Sequence, residues 1–476
     1  MPGRGGLRIP GGVNASMQPL AILDVVGLAP RLLGPHTPRL AAFAARGSQR
    51  PLVPPFPAVT CTTQASLLTG LAPAGHGVVG NGWYFRDLAE IWFWRQSSRL
   101  VAGEPIWEAA RRRDPAFTCA NLFWWFNMGA THDIGVTPRP IYKADGRKLP
   151  DCYTAPAALR DRLTERLGPF PLFRFWGPAT DISSSRWIAD ATRYVVEAHD
   201  PTLTLAYLPH LDYDLQRFGP DTGHPRVQQS LRDIDEVAGR LIDDLQARGR
   251  RVLVVSEYGI TAVDRPVHVN RHLREAGWLA VRHEDGAELL DPFASRAFAV
   301  ADHQVAHVTV RDPALVPRVR ALLAGLPGVE SVHAGRERAA IGLDHARAGE
   351  LVAVADARSW FTYYPWLDDR RAPDFARTVD IHRKPGYDPA ELFVDPALRW
   401  PKLAIASRLA RRKLGLRTLM DVIGLDAAVV KGSHGRLTDD PADGPLLIAD
   451  HPDALPDDPV DATDLRRIAL ELLFPS

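Results

Sequence analysis

Residues 57–81 read PAVTCTTQASLLTGLAPAGHGVVGN. A cluster of hydroxyls and a cysteine, Thr60 to Thr63, closes an apolar stretch, and Asn81 follows a Gly-rich turn twenty-one residues after Thr60. Polar residues that end apolar runs carry weight in one class of fold above others. In open α/β sheets, ligands gather outside the carboxyl ends of the strands. The fold class therefore decides what this stretch is for.

Working outward from it, short apolar runs alternate with helical stretches. LAILDVVGL (20–28), TLTLAYL (202–208), RVLVVSEYG (251–259), AHVTVRD (306–312) and ELVAVAD (350–356) read as buried strands. Residues 227–249 place Leu231, Ile234, Val237, Leu241 and Leu245 at steps of three and four, the period of an amphipathic helix. Alternation of this kind predicts a mostly parallel sheet covered on both faces. The stretch 300–357 reads as strand, helix, strand and strand, and is expected to extend that sheet. The aromatic runs WYFRDLAEIWFWRQ (83–96) and FWWFNMG (123–129) fit no strand–helix repeat, so 83–200 is read as partly a lid or cap.

Composition excludes several classes. With 476 residues and 46% hydrophobic content, the chain can bury a large core. Lys and Arg total 57 against 56 Asp and Glu, a formal net charge of +1, which advertises no nucleic-acid polymer or membrane surface. The basic runs Arg111–Arg113 and Arg411–Lys413 read as solvated helix ends. Three cysteines without a CxxC pair argue against a disulfide scaffold or a Cys-rich zinc site, and fit a reducing compartment. No run reaches about 18 uninterrupted apolar residues. The expected location is cytoplasmic, with residues 1–16 a disordered leader and 17–476 one catalytic domain. Nothing in the sequence fixes the oligomeric state.

Strand ends supply the candidate chemistry: Asp24 in DVVGL, Thr60, His210 and Asp212 after LAYLP, Glu257 and Tyr258 in SEYG, and His434 in GSHG. Singly, each has an ordinary explanation as a cap, turn former or solvated loop residue. Together, carboxylates, a hydroxyl and a histidine on separate strand ends suit a site where cations polarise an oxyanion while an alkoxide attacks.

The spelling of these elements resembles the alkaline phosphatase superfamily, in particular the nucleotide pyrophosphatase/phosphodiesterase branch and the related phosphonoacetate hydrolases. That branch runs Asp-Gly at a strand end, a Thr nucleophile, TG-x-x-P-x-x-HG reaching an Asn, Asp-x-x-x-His, Asp-His-Gly and Gly-x-His-Gly. Here the second element is TCTTQASLLTGLAPAGHGVVGN at the family's spacing, and DVVGL, LDYDLQRFGP, SEYGI and GSHG follow the family's order. The resemblance implies a three-layer α/β sandwich of the alkaline-phosphatase type with a partial cap. It implies Thr60 as nucleophile, ahead of Cys61, Thr62 and Thr63 because only Thr60 keeps the spacing to Asn81. Asn81 would donate its amide to the developing charge, and His76 would brace the turn.

The departures fall on the ligands. The family's first metal Asp falls at Val26, with Asp24 two residues earlier on the same strand face. Gln216 stands where a His belongs, and Glu257 and Tyr258 replace Asp and His; His434 is retained. The metal set implied by the resemblance is therefore Asp24, Thr60, Asp212, Gln216, Glu257, Tyr258 and His434. It is oxygen-rich, which shifts preference from Zn2+ towards Mn2+ or Mg2+, with one or two divalent ions bound and one position weakened or empty. His210, His268, His272 and His382 are candidates to refill it. The expected function is metal-dependent hydrolysis of a small-molecule phosphodiester or phosphonate through a phospho-threonine. The alternatives are a degraded member that binds an anionic ligand, and a phosphoryl transferase.

Overall fold

The computed structural model describes residues 17–475; the leader expected over 1–16 lies outside the described residues. Nine strands form the central sheet, in the order Val460–Asp461, Ser48–Val53, Leu446–Ala449, Arg251–Val255, Leu20–Val25, Leu203–Leu208, Cys119–Leu122, Ile134–Pro138 and Cys152–Ala155. Leu20–Val25 pairs in parallel with Leu203–Leu208 on one side and Arg251–Val255 on the other. Cys119–Leu122 and Ile134–Pro138 continue the parallel run. Only Leu446–Ala449 and Cys152–Ala155 run against it.

All six residues of Leu20–Val25 and of Leu203–Leu208 are buried. The reason lies in the helices on both faces. Pro225–Ala247, Ser183–His199 and Pro38–Arg46 cover one face, while Leu465–Leu473 and Thr60–Thr69 lie on the other. The periodic leucines of 227–249 face the sheet as their spacing predicts. This is the three-layer α/β sandwich expected from the sequence.

Two expectations change. The 300–357 region does not extend the central sheet. Ala297–Asp302, Val305–Val310, Leu351–Ala355 and Val329–Ala334 form a separate, wholly antiparallel four-stranded sheet with its own core. The cause is local. A two-residue turn, His303-Gln304 with His303 at φ +57°, joins the first two strands, and a turn that short permits only an antiparallel hairpin. In the 83–200 stretch read as partly a lid, Cys119–Leu122, Ile134–Pro138 and Cys152–Ala155 are central-sheet strands, and Ser183–His199 packs on the first of them and on Leu203–Leu208. Those parts are core. The hairpin Gly82–Phe85/Glu90–Phe93 stands outside the sheet.

Parallel strands leave their carboxyl ends on one side of the sheet. The residues after Val25, Leu208 and Val255 therefore converge, and Ser48–Val53, running the same way, brings Thr60 to that side. No helix among the described residues is long and apolar enough to cross a membrane. The three cysteines are free and buried.

Candidate active site

Thr60 is the first residue of the buried helix Thr60–Thr69, entered from extended Val59. Its Oγ1 lies 3.3 Å from the Tyr258 hydroxyl. Tyr258 in turn donates to Asp212 Oδ1 at 3.1 Å. Gln216 Nε2 donates to Asp212 Oδ2 at 2.7 Å, and Gln216 Oε1 accepts from the Tyr387 hydroxyl at 3.0 Å. Thr60, Asp212, Gln216 and Tyr258, from separate stretches of chain, are thus joined by hydrogen bonds.

His434 closes the group. Its Nδ1 lies 2.9 Å from the Ala58 carbonyl, which can only accept, so Nδ1 carries the proton. The Nε2 lone pair then faces Asp212 Oδ1 at 3.9 Å. Burial pushes the imidazole down to about 3, and it is neutral at physiological pH. Tyr258 stacks flat on its ring with centroids 3.5 Å apart. His303 lies against the His434 ring at 3.7 Å, tilted by 38°, and Tyr387 stacks on His303 at 3.7 Å. Tyr387 contacts Trp94 and Trp176, and Trp94 contacts Trp125. The aromatic stretches of the sequence therefore meet beside the site.

Asp24 and Glu257 form the other half. Gln64 Nε2 donates to Asp24 Oδ2 at 3.3 Å and also to Glu257 Oε1, while Gln64 Oε1 accepts from the Trp125 backbone N–H at 2.7 Å. Burial, and then the neighbouring Glu257 carboxylate, hold Asp24 well above the usual range; burial raises Glu257 to about 7. Asp24 Oδ1 and Glu257 Oε2 are buried without a partner. Among the described residues no lysine or arginine forms an ion pair with either carboxylate. The buried cation nearest in sequence to Tyr387, Lys384, is held by Asp388 and Glu391 at 2.7 Å each.

Asn81 is held by a residue that sequence reasoning missed. Its Oδ1 accepts from the Cys61 N–H at 3.0 Å, its own N–H donates to Asp302 Oδ2 at 2.7 Å, and Nδ2 donates to Asp302 Oδ1 at 3.1 Å. Asp302 thus fixes the amide with one Nδ2 hydrogen still available. The signal was the polar pair Asp302-His303 between two apolar runs, a hairpin pattern. An Asp302→Asn variant supplies one acceptor where two are used and sets N–H against N–H. We expect kcat/KM to fall about 10- to 100-fold, from misplacement of Asn81, with the fold retained by circular dichroism.

His76 braces the turn through Ser66 Oγ at 2.9 Å and the Val78 N–H at 3.1 Å. The four histidines considered as replacement ligands make no hydrogen bond to the group. His210 is buried with both ring nitrogens unpartnered, His268 bonds Thr362, His272 faces Glu275, and His382 lies 3.4 Å from the Phe93 carbonyl.

The implied pair of metal ions can be tested against these donors. Asp212 accepts from Gln216 and Tyr258, donors standing where the family has imidazoles, and only His434 Nε2 turns a free lone pair to it, so the Asp212–Gln216–His434 position is the poorer place for a cation. The Asp24–Glu257 position does fit one. It offers two orphaned carboxylate oxygens, hard donors of the kind that suit Mg2+ or Mn2+. Among the described residues no group of three or more His, Cys, Asp or Glu side chains is arranged around a metal position. Of the seven residues read from the sequence as ligands for one or two ions, Asp24, Thr60 and Glu257 lie at this position, and Asp212, Gln216, Tyr258 and His434 lie at the other.

The buried carboxyls make stability pH-dependent. Asp212, Glu257 and Asp302 are each raised to about 7 by burial, whereas in the unfolded chain they ionise near pH ~4. Between those values the native state holds more protons, so stability present at the acid end is lost as pH rises through about 7 and levels off above it. The buried neutral histidines, among them His76, His210 and His434, are held down to about 3 or 4 and act in the opposite sense, so the test is a difference: in EDTA the melting temperature of Asp302→Asn should gain on that of wild type as pH rises from ~5.5 to ~8, and an unchanged difference would contradict the shift at Asp302.

A family model described as type I phosphodiesterase / nucleotide pyrophosphatase matches residues 20–388. An uncharacterized pyrophosphatase/phosphodiesterase of Schizosaccharomyces pombe is 27% identical over 294 residues, 58% of this chain and 51% of that protein. The ectonucleotide pyrophosphatase/phosphodiesterase 2 of Saccharomyces cerevisiae is 24% identical over 234 residues, 45% of this chain and 40% of that protein. The matches thus span about half the length of these relatives or less. Among solved structures, phosphonoacetate hydrolase from Sinorhizobium meliloti 1021 in complex with phosphonoformate superposes with a TM-score of 0.62 at 16% identity, over 96% of both chains. An inactive form of murine ectonucleotide pyrophosphatase/phosphodiesterase 5 in complex with AMP gives 0.56 at 18% identity, over 96% and 95%.

Proposed function

The chain belongs to the type I phosphodiesterase / nucleotide pyrophosphatase family of hydrolases, within the alkaline phosphatase superfamily, and from that premise we propose that it hydrolyses a phosphodiester or phosphonate of a small molecule with Thr60 as nucleophile. One observation carries the reading: the line from Thr60 Oγ1 through the Tyr258 hydroxyl to Asp212 Oδ1, with steps of 3.3 and 3.1 Å. As the Thr60 oxygen bonds phosphorus, its proton passes to the Tyr258 oxygen while Tyr258 gives its own proton to Asp212. The bond from phosphorus to the leaving group breaks, and its electron pair leaves with that group. A base near neutrality suits the task, and Asp212 sits at about 7.

Gln216 and Tyr387 keep Asp212 in place. The free Nδ2 hydrogen of Asn81 and the start of the Thr60–Thr69 helix face the charge that develops on the non-bridging oxygens. A cation held by Asp24 and Glu257, when bound, supplies Lewis-acid polarisation of that charge. In the second half-reaction water attacks the phospho-threonine, its proton goes to a carboxylate, and Thr60 regains its hydrogen through Tyr258.

The test is a panel of aryl phosphodiester, monoester and phosphonate esters, assayed in EDTA and with added Mg2+, Mn2+ or Zn2+. The expectation is turnover enhanced by Mg2+ or Mn2+. A second reading, favoured by the burial of every group at 7% exposure or less, is that the chain binds a phosphorylated or other anionic small molecule without turnover. Saturable binding of an unreactive phosphonate with no product from any ester would select it.

A further inference from the structure

Between Tyr387 and His434 the chain leaves the site, builds a surface the chemistry does not use, and returns. Its centre is the helix Pro401–Lys413, PKLAIASRLARRK, which buries none of its residues. Its half-buried side is formed by Ala404, Ile405, Arg408 and Arg412. Arg408 Nε donates to Asp421 Oδ1 at 2.6 Å, and Arg412 Nε to the Thr418 carbonyl at 3.1 Å.

The leucines point the other way. A surface helix ordinarily turns its apolar stripe inward. Here Leu403, Ala406 and Ala410, at steps of three and four, are exposed, and so is Leu409. Trp400, Leu403 and Leu414 are 66, 68 and 78% exposed, and Leu409, Leu416 and Leu419 lie between 45 and 52%. That concentration in one short segment is more than scattered surface apolarity.

The charge is as uneven. Residues 396–420 contain Arg399, Lys402, Arg408, Arg411, Arg412, Lys413 and Arg417 and no Asp or Glu, in a chain whose formal net charge is +1. Exposed leucines and a tryptophan interleaved with cations match the acyl boundary and anionic headgroups of a bilayer together. A nucleic acid would answer the cations and leave the leucines in water.

We propose that this surface docks the chain on a bilayer containing anionic phospholipid, with the Pro401–Lys413 helix lying in the interface. Arg411–Lys413 do end a helix, as read from the sequence, and the proposal gives them a ligand; it stands independently of the chemistry assigned to Thr60.

Co-sedimentation of the full chain with phosphatidylcholine vesicles, with and without phosphatidylglycerol, tests it. Wild type should pellet only with the anionic vesicles and be released at about 1 M salt, where the Debye length shrinks to ~3 Å. Two exposed triple variants, Leu403→Ser/Leu409→Ser/Leu414→Ser and Lys402→Glu/Lys413→Glu/Arg417→Glu, should each bind at least about tenfold more weakly. Both should melt as wild type does and keep its turnover of a soluble ester. Wild type left in the supernatant overturns the proposal, as do variants that pellet undiminished. It is also overturned if the leucine variant changes only the oligomeric mass, which identifies a second copy as the occupant, or if binding to duplex DNA replaces binding to vesicles.

Discussion

The Thr60→Ala chain is expected to lose at least about 10³-fold in kcat/KM and to unfold within a few degrees of wild type. The side chain is 2% exposed, and the change removes one hydroxyl and one methyl. Tyr258 keeps its bond to Asp212, so no buried donor is stranded and the structural cost stays near 1 kcal/mol. What is lost is the only group that combines this position at the helix start with the relay to Asp212.

The neighbouring nucleophiles are poor substitutes. Burial, with Asp302 and Glu257 nearby, pushes the Cys61 thiol well above its ordinary range, and an un-ionised thiol is a weak nucleophile. Cys61→Ala should therefore remain active, and Thr60→Ser should retain a measurable fraction of wild-type rate. Steady-state kinetics with thermal melts on the three variants checks this. Activity surviving in Thr60→Ala would move the nucleophile elsewhere.

Tyr258→Phe is the second large effect, an expected fall of about 10²-fold in kcat with little change in KM. Phenylalanine preserves the stack on His434 and removes the hydroxyl that connects Thr60 to Asp212. The pH profile gives a signature that lost packing would not. Burial raises Asp212, and the bonds from Tyr258 and Gln216 partly hold it down. Deleting the Tyr258 bond lets it rise further. In wild type Asp212 must be ionised to accept the proton, so rate falls as pH drops through about 7; the variant has no path from Thr60 to Asp212, and its residual rate should lose that acid limb. If Tyr258 only fills space where the family has an imidazole, the rate and the limb both stay put.

The sheet and the convergence of its strand ends were legible because burial writes itself into apolar runs. LAILDV and RVLVV need no partner to be recognised, and parallel pairing then places Asp24 and Glu257 together. The Thr60–Asn81 spacing carried the rest of the resemblance. What eluded the sequence depends on contacts made at a distance. Asp302 meets Asn81 from a sheet 221 residues away in the chain, and His303 enters the stack only because its turn forces a positive φ. Tyr258 reads as a lost ligand, yet its longer side chain reaches Asp212. In the Pro401–Lys413 helix the fold turns Arg408 and Arg412 to the half-buried side and the leucines outward, an arrangement set by tertiary contacts such as Arg408 to Asp421.

The most direct measurement is an acid quench of wild type during turnover of an aryl phosphodiester or phosphonate, followed by peptide mapping of residues 57–81. The substituted phosphoryl group should be found on Thr60, in amounts that follow the steady-state rate, and be absent from Thr60→Ala. Turnover with Thr60 unmodified throughout, or with the label on Cys61, Thr62 or Thr63, would contradict the account.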